Sequence, residues 1–259
     1  MIKALLKWMR TAKTGMNQLG DLFCPRYCIF CESAIQNSEE TIFFCQDCRD
    51  QFVVAKRKFC PRCGCIGLES QRDRQDGRCP KCRDLDFAFS QTVVLGEYGE
   101  HLRQAILQMK TEKQGYLAVS MARLFERERR EQLLRLDADI VVPVPMHFLR
   151  RFHRGVNSAT FFATELAENF GMKLKTSWIK RTRYTKPQFK LNPTERRRNV
   201  RGAFAFSGSK RQIAGKKILL VDDIMTTGAT CHEIANVLRQ AGAADVYVAV
   251  FARAEGKKL

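Results

Sequence analysis

Beyond residue 86 the apolar positions of this chain follow two rhythms, short unbroken runs and residues spaced three or four apart. Thr92-Val-Val-Leu95, Ile140-Val-Val-Pro-Val144, Lys217-Ile-Leu-Leu-Val221 and Val246-Tyr-Val-Ala-Val-Phe251 are runs of strand length. The third is apolar almost without interruption, as a strand covered on both faces must be. Between the runs, Leu102, Ile106 and Met109 mark one helix, and Leu117, Met121, Leu124 and Phe125 mark a longer one. Phe161, Phe162, Leu166 and Ala167 give helical period to the stretch from Ser158 to Phe170, with Gly171 as its stop. Ile234, Val237 and Leu238 mark a last helix, ended by Gly242. Strand and helix in alternation predict an α/β fold, a doubly wound parallel sheet, over residues 87–259. From Thr182 to Arg201 no period is evident. That Arg-rich stretch reads as a lid, because long loops in compact α/β domains tend to be functional.

The pattern differs at the start of the chain. Ile2, Leu5, Leu6 and Met9 fall at helical spacing among Lys3, Lys7, Arg10 and Lys13, which predicts a short basic amphipathic helix within residues 1–23. It has no apolar region of the kind a secretion signal needs, so it reads as uncleaved and the protein as cytoplasmic. Such a helix either packs on its own domain or docks peripherally on the anionic inner face of a membrane. No run approaches the 18 apolar residues of a spanning helix. Composition adds one constraint. With 45% apolar residues in 259 the chain has enough for a core, and 45 Lys and Arg against 27 Asp and Glu leave a net charge of +18. That balance suits proteins that meet phosphate-rich polymers or anionic surfaces, although a merely soluble basic protein shares it.

Residues 24–86 obey a third pattern, set by cysteine. Ten of the 11 cysteines lie between positions 24 and 82, and eight form Cys-x-x-Cys pairs: Cys28/Cys31, Cys45/Cys48, Cys60/Cys63 and Cys79/Cys82. A reducing compartment disfavours disulfides, whereas one such turn aims two thiolates at a point and two turns complete the tetrahedral sulfur cage that Zn²⁺ prefers. Two structural zinc sites are expected, with Cys24, Cys65 and Cys231 left over. Two pairings satisfy the spacing, sequential ribbons or an interleaved cross-brace; iron–sulfur clusters and redox pairs are the competing chemistries. With four thiolates per metal no position stays open for catalysis. So short and apolar-poor a segment needs the metal for much of its folding energy.

The remaining chemistry sits where the strand ending at Val221 runs into Asp222-Asp223-Ile-Met-Thr-Thr-Gly-Ala-Thr230. Adjacent carboxylates repel, and they persist together where something polyhydroxylated or cationic faces them. Ligands of open parallel sheets bind beyond the carboxyl ends of strands. Here Thr226, Thr227, Gly228, Ala229 and Thr230 turn into a helix whose first amides and hydroxyls favour an anion, and Gly228 admits close approach. The acids would accept hydrogen bonds from vicinal ribose hydroxyls, so the loop reads as a grip on a ribose 5-phosphate. Helix capping alone would explain one such residue, not five in nine positions.

That stretch resembles the phosphoribosyl-pyrophosphate (PRPP) loop of the type I phosphoribosyltransferases, and the whole chain resembles the ComF competence-protein family. Further matches are the double cysteine knuckles, Val142-Pro-Val-Pro145, Arg154-Gly155-x-Asn157, Arg181-Thr182-x-x-Thr185-x-x-Gln188-x-x-Leu191 and Arg198-Asn199-Val200-x-Gly202-Ala203-Phe204. The resemblance implies that Asp222 and Asp223 hold the ribose 2′- and 3′-hydroxyls, that Thr226 to Thr230 cradle the 5′-phosphate, and that the turn with Met146 and His147 is the pyrophosphate loop. It also implies Mg²⁺ on the pyrophosphate and closure of the lid over it, with no single residue standing out as catalytic acid or base. Val156 and Ser158 depart from an aromatic residue and Gln in the family, and Lys110-Thr111 departs from a Lys-aromatic pair. The resemblance to ComF implies handling of incoming single-stranded DNA in natural transformation; another reading is a PRPP-sensing interaction protein whose zinc ribbons hold a helicase or translocation partner. Rings and cations do interleave here. Phe148, Arg150, Arg151, Phe152, His153 and Arg154 form one such group; Arg181, Arg183 and Tyr184 start a second, extended by Arg196, Arg197, Arg198 and Arg201. The Arg cluster from Arg123 to Arg130 alternates with Glu126 and Glu128 and reads as a solvated helix face. An active phosphoribosyltransferase of nucleotide salvage is the alternative function.

Overall fold

The computed structural model describes residues 27–35, 42–53, 59–66, 78–109, 114–146, 157–185 and 191–254. The expected N-terminal helix, and His147, Phe148, Arg150, Arg151, Phe152, His153, Arg154, Val156, Lys110 and Thr111, lie outside them. Five parallel strands build the main sheet: β1 (Gln91–Glu97), β2 (Ile140–Pro143), β3 (Lys173–Leu174), β6 (Lys217–Met225) and β7 (Asp245–Arg253). Their order is β1-β7-β6-β2-β3. Helices α2 (Glu100–Gln108) and α3 (Gln114–Leu136) carry the chain from the β1 edge to β2. Helix α4 (Ser158–Phe170) connects β2 to β3, and α7 (Ala229–Gln240) connects β6 to β7.

The sheet is doubly wound because its strands bury both faces. In β6, Leu219 and Val221 join a core with Phe125 of α3 and Phe162 of α4; Ile218 and Leu220 join the opposite core with Ile234 and Leu238 of α7. Phe162 stacks on Phe251 of β7 at 4.0 Å between centroids, and Phe125 meets Phe162 edge-on at 4.7 Å. Each buried ring of this kind stabilises the fold by about 1.5–3 kcal/mol. Asn157 caps α4 by accepting from Ala159 N, and Gly171, at φ 66°, ends it, so the helix has the bounds its period predicts.

Two expectations are corrected. Arg123 and Arg129 turn inward from α3: Arg123 pairs with the buried Glu165 at 3.1 Å, and Arg129 donates to the carbonyls of Val94 at 2.7 Å and Leu95 at 2.8 Å. Alternation of signs cannot reveal this, because the acceptors, the Glu165 carboxylate and two carbonyls of β1, come from distant parts of the chain. The stretch from Thr182 to Arg201 is also not all loop. Helix α5 (Pro193–Val200) lies within it, between the antiparallel strands β4 (Ile179–Arg181) and β5 (Phe204–Phe206). Its cause is local: Asn192 accepts from Glu195 N at 2.9 Å while Glu195 accepts from Asn192 N at 2.8 Å, a reciprocal capping box with Pro193 following. Only Val200 of this helix is buried, so no apolar period announced it.

The cysteine ribbons are not set apart from the sheet. The first, with α1 (Gln46–Phe52), shares the core of α2, α3 and α4; the second shares the core of α7. They lie on opposite faces of the sheet at the β1 edge. Any Cβ at Gly96 of β1 would collide with the Phe52 carbonyl of the first ribbon, and Thr92 donates its amide to Pro61 O at 2.7 Å in the second. An edge strand needs such cover, since its unpaired amides otherwise recruit other chains.

Candidate functional site

The sheet order fixes where a site can form. From β2 the chain moves outward to β3; from β6 it moves the other way to β7, so the order reverses between β2 and β6. The crevice beyond the carboxyl ends of two such strands is where open α/β sheets bind ligands. Pro143 of β2 pairs with Val221, and Val144 N donates to Val221 O at 2.8 Å. Past this point β6 continues from Asp222 to Met225 with register partners on β7 but none on β2. The acids therefore lie within the last part of the strand, not after it, and the edge they occupy opens on the crevice. Asp223 N donates to Asp222 Oδ1 at 2.9 Å, and Ile224 N to Asp223 Oδ1 at 2.8 Å, which orients both carboxylates.

Thr226, Thr227 and Gly228 then turn the chain into α7. Gly228 sits at φ 76° as the N-cap, and a Cβ there would stand 3.0 Å from the Phe87 ring. The left-handed backbone is what calls for glycine, and the close ring adds to it. No side chain caps α7, apart from a long approach of Ala229 N to Thr227 Oγ1 at 3.4 Å. Thr226, Thr227 and Thr230 are half-buried, so hydroxyls and helix amides share one mouth with the carboxylates. Cys231, one turn in, is fully buried; burial pushes its thiol up, and Asp222 adds to the shift.

On the β2 side, Val144 is followed by Pro145 and the half-buried Met146, and Asn157 ties off the loop by donating Nδ2 to Val144 O at 3.0 Å. Of the cations expected to meet a polyanion, Arg197 and Arg198 are exposed on α5. Arg181 lies over the Phe204 ring at 5.1 Å, Arg196 donates to Leu191 O at 2.9 Å, and Arg183 donates to Asn199 O at 3.0 Å and Arg201 O at 2.6 Å. Arg183 thus closes the carboxyl end of α5. The arm joins the crevice through α7, where Glu233 Oε1 accepts from Gly202 N at 2.6 Å.

The cysteines pair sequentially. Cys28, Cys31, Cys45 and Cys48 form one group and Cys60, Cys63, Cys79 and Cys82 the other, with all sulfurs of a group within 4.8 Å. Cys28 and Cys48 are 3.8 Å apart, Cys31 and Cys45 3.6 Å, Cys60 and Cys82 3.8 Å, and Cys63 and Cys79 3.5 Å. Four sulfurs about 2.3 Å from a tetrahedral Zn²⁺ stand about 3.8 Å from one another, so both sets fit that ion. In each, the residue after the second cysteine is left-handed: Glu32 at φ 64° in the exposed first knuckle, Gly64 at φ 68° in the second. Gly64 has no alternative, since a Cβ would press on Val94 and Thr92. Exposure separates the groups, because Cys31 is exposed while all four cysteines of the second are buried. A hydrogen bond with Ser33 holds the Cys31 thiol down at about 6, and one with Cys63 holds Cys60 at about 4 while burial drives Cys48 upward.

Three residues unremarked in the sequence hold this site together. Phe87 and Phe89 stack at 4.7 Å against Gly228, and the buried Arg253 joins the second knuckle to the end of β6. No local signal marks them, since each acts on partners far along the chain.

Comparison with known proteins agrees with this geometry. A phosphoribosyl transferase domain model matches residues 153–259. Competence protein F of Haemophilus influenzae is 30% identical over 227 residues, covering 82% of this chain and 97% of that protein. The DNA utilization protein YhgH of Salmonella typhimurium is 29% identical over 231 residues, covering 88% and 96%. An amidophosphoribosyltransferase of Methanocaldococcus jannaschii is 31% identical over 115 residues, 44% of this chain and 22% of its own. Two four-cysteine groups, a doubly wound parallel sheet of the type I phosphoribosyltransferase kind and similarity to competence protein F and YhgH over more than four fifths of the chain place it in the ComF/YhgH family of competence proteins.

Proposed function

We propose that this is a cytoplasmic competence protein that binds PRPP in the crevice between β2 and β6 and handles incoming single-stranded DNA during natural transformation. One observation carries the reading. The strand edge bearing Asp222 and Asp223 and the glycine-started helix α7 open together at the point where the strand order reverses. The carboxylates accept the ribose 2′- and 3′-hydroxyls, and the amides and hydroxyls from Thr226 to Thr230 hold the 5′-phosphate. Met146 and His147 border the pyrophosphate, whose Mg²⁺ neutralises charge and touches the protein little. Zn²⁺ fills both cysteine groups, residues 24–86 acting as the metal-holding unit and 87–259 as the ligand-binding body. DNA follows the basic arm at Arg197 and Arg198, and Arg150, Arg151 and Arg154 supply further cations for its backbone. The relatives' names, competence protein and DNA utilization protein, support that part. A helicase or translocation partner would be held through the zinc ribbons, and a membrane contact would use the basic amphipathic segment of residues 1–23.

Calorimetry with Mg-PRPP and, separately, a short single strand tests both halves. Asp222→Asn/Asp223→Asn is expected to abolish the PRPP heat and to spare the oligonucleotide, whose binding falls steeply with salt. Undiminished PRPP binding by the double variant would reject the crevice as its site. The phosphoribosyl transferase domain match favours a second reading, transfer to a base. Pyrophosphate release that requires both PRPP and a base would establish it. Transfer of this kind passes through an oxocarbenium-like centre, so positioning and leaving-group electrostatics would do most of the work.

A further inference from the structure

Arg253 is the last residue of β7 and is buried, an unusual place for a guanidinium. Its Nε donates to Cys63 O at 2.8 Å and its Nη2 to Cys65 Sγ at 3.2 Å; its Nη1 donates to Met225 O at 3.0 Å and Ala254 O at 2.9 Å. The first two acceptors belong to the second cysteine knuckle. Met225 ends β6, immediately before Thr226. A guanidinium is a rigid planar fork, so it holds these acceptors at fixed mutual positions.

A second strut runs beside it. Arg62, inside the same knuckle, donates Nη2 to Phe87 O at 2.6 Å, and the Phe87 ring supports Gly228. A third is shorter: Ala88 N donates to His232 Nδ1 at 3.1 Å in the first turns of α7. The first cysteine group has no counterpart among the described residues, because it packs on the opposite face of the sheet against α2 and α3.

We propose that Arg253 is a positioning residue that fastens the second cysteine group to the turn at Thr226 to Gly228, so that a metal at Cys60, Cys63, Cys79 and Cys82 keeps the phosphate seat in shape. The metal at Cys28, Cys31, Cys45 and Cys48 does not. Without its metal the second knuckle loses the bonds that define it. The Cys63 carbonyl and Cys65 sulfur then shift, the buried guanidinium is left with unmet donors, and the Met225 carbonyl moves with it. The inference rests on reading that turn as a sugar-phosphate seat, and it concerns the order of the turn as well as its affinity.

The test uses the full chain and three measurements: zinc content, hydrogen–deuterium exchange over residues 222–230, and Mg-PRPP calorimetry. Arg253→Lys keeps charge and stem but loses the fork. It is expected to retain both metals, to speed exchange over 222–230 by about tenfold or more, and to weaken PRPP binding by a similar factor. Cys31→Ser is expected to loosen the first metal and leave the turn as in wild type. Should Arg253→Lys not fold, Cys65→Ala removes one acceptor and no ligand, and a smaller acceleration at 222–230 is the supporting result. Unchanged exchange in the variant that folds, or equal disturbance of the turn by Cys31→Ser, overturns the proposal. If wild type binds no PRPP while exchange responds as described, the strut stands and the sugar-phosphate reading alone fails.

Discussion

At Gly228 the backbone is left-handed, and a methyl group there would press on the Phe87 ring at 3.0 Å. Gly228→Ala is therefore expected to lower stability by about 1–3 kcal/mol in urea unfolding, with a parallel loss of PRPP affinity. Asp139 makes a pH-dependent contribution of its own. It accepts from Lys216 Nζ at 2.8 Å and from Lys217 N at 2.9 Å, tying the start of β2 to that of β6, and the Lys216 hydrogen bond holds its carboxyl below the usual range. Because the folded value is the lower one, this stabilisation is complete above the unfolded value of about 3.9 and is lost as pH falls through the folded value. Asp139→Asn should then differ from wild type at pH 6 by under about 1 kcal/mol, the pair being partly exposed, and converge with it under strong acid. At this scale the sequence was informative where a residue's chemistry and its neighbours coincide, as in Asp222, Asp223 and Gly228. Arg253 and Phe87 carry no local signal, because their partners come from other parts of the chain.

Helix α5 shows what local code can hold without a core. Its capping box is the main reason for a helix there, so Asn192→Ala should cost about 1 kcal/mol locally. The change should appear as faster amide exchange over 193–200, with global unfolding nearly unmoved. Asn157 is the contrasting case, since it caps α4 and also holds Val144 O across the crevice loop. Helices with a buried stripe, α2, α3, α4 and α7, were legible from apolar spacing, and α4 to the residue. The two-residue strand β3 and the hairpin β4–β5 were not, because segments so short carry no period. β6 ran further than its apolar run, since pairing with β7 continues under the acids and hydrophobicity does not report pairing.

Across the whole molecule the two metal groups cover opposite faces at one sheet edge and differ in exposure. A chromophoric chelator should therefore remove zinc in two phases of equal amplitude. Alkylation mapping is expected to find Cys31 and Cys45 modified in the first phase, and Cys60, Cys63, Cys79 and Cys82 only in the second. Both steps should lower the melting temperature, since each group shares a core with the sheet. A single phase, or alkylation of the second group first, would contradict the burial that separates them. The net charge of +18 belongs to this scale too. Composition suits a polyanionic partner, yet several arginines bind carbonyls, carboxylates or rings of their own chain, which leaves fewer of them to meet a polyanion.

By itself the sequence determined the kinds of element, the eight thiolates and the acid-and-threonine loop, because propensity, period and the Cys-x-x-Cys turn act over a few neighbouring residues. Tertiary structure alone decided that the cysteines group sequentially, that the strand order reverses beside Asp222 and Asp223, and that a buried arginine joins the second cysteine group to the end of β6. Each of those depends on segments that meet only when the sheet has formed, and nothing in local spacing encodes which distant partner arrives.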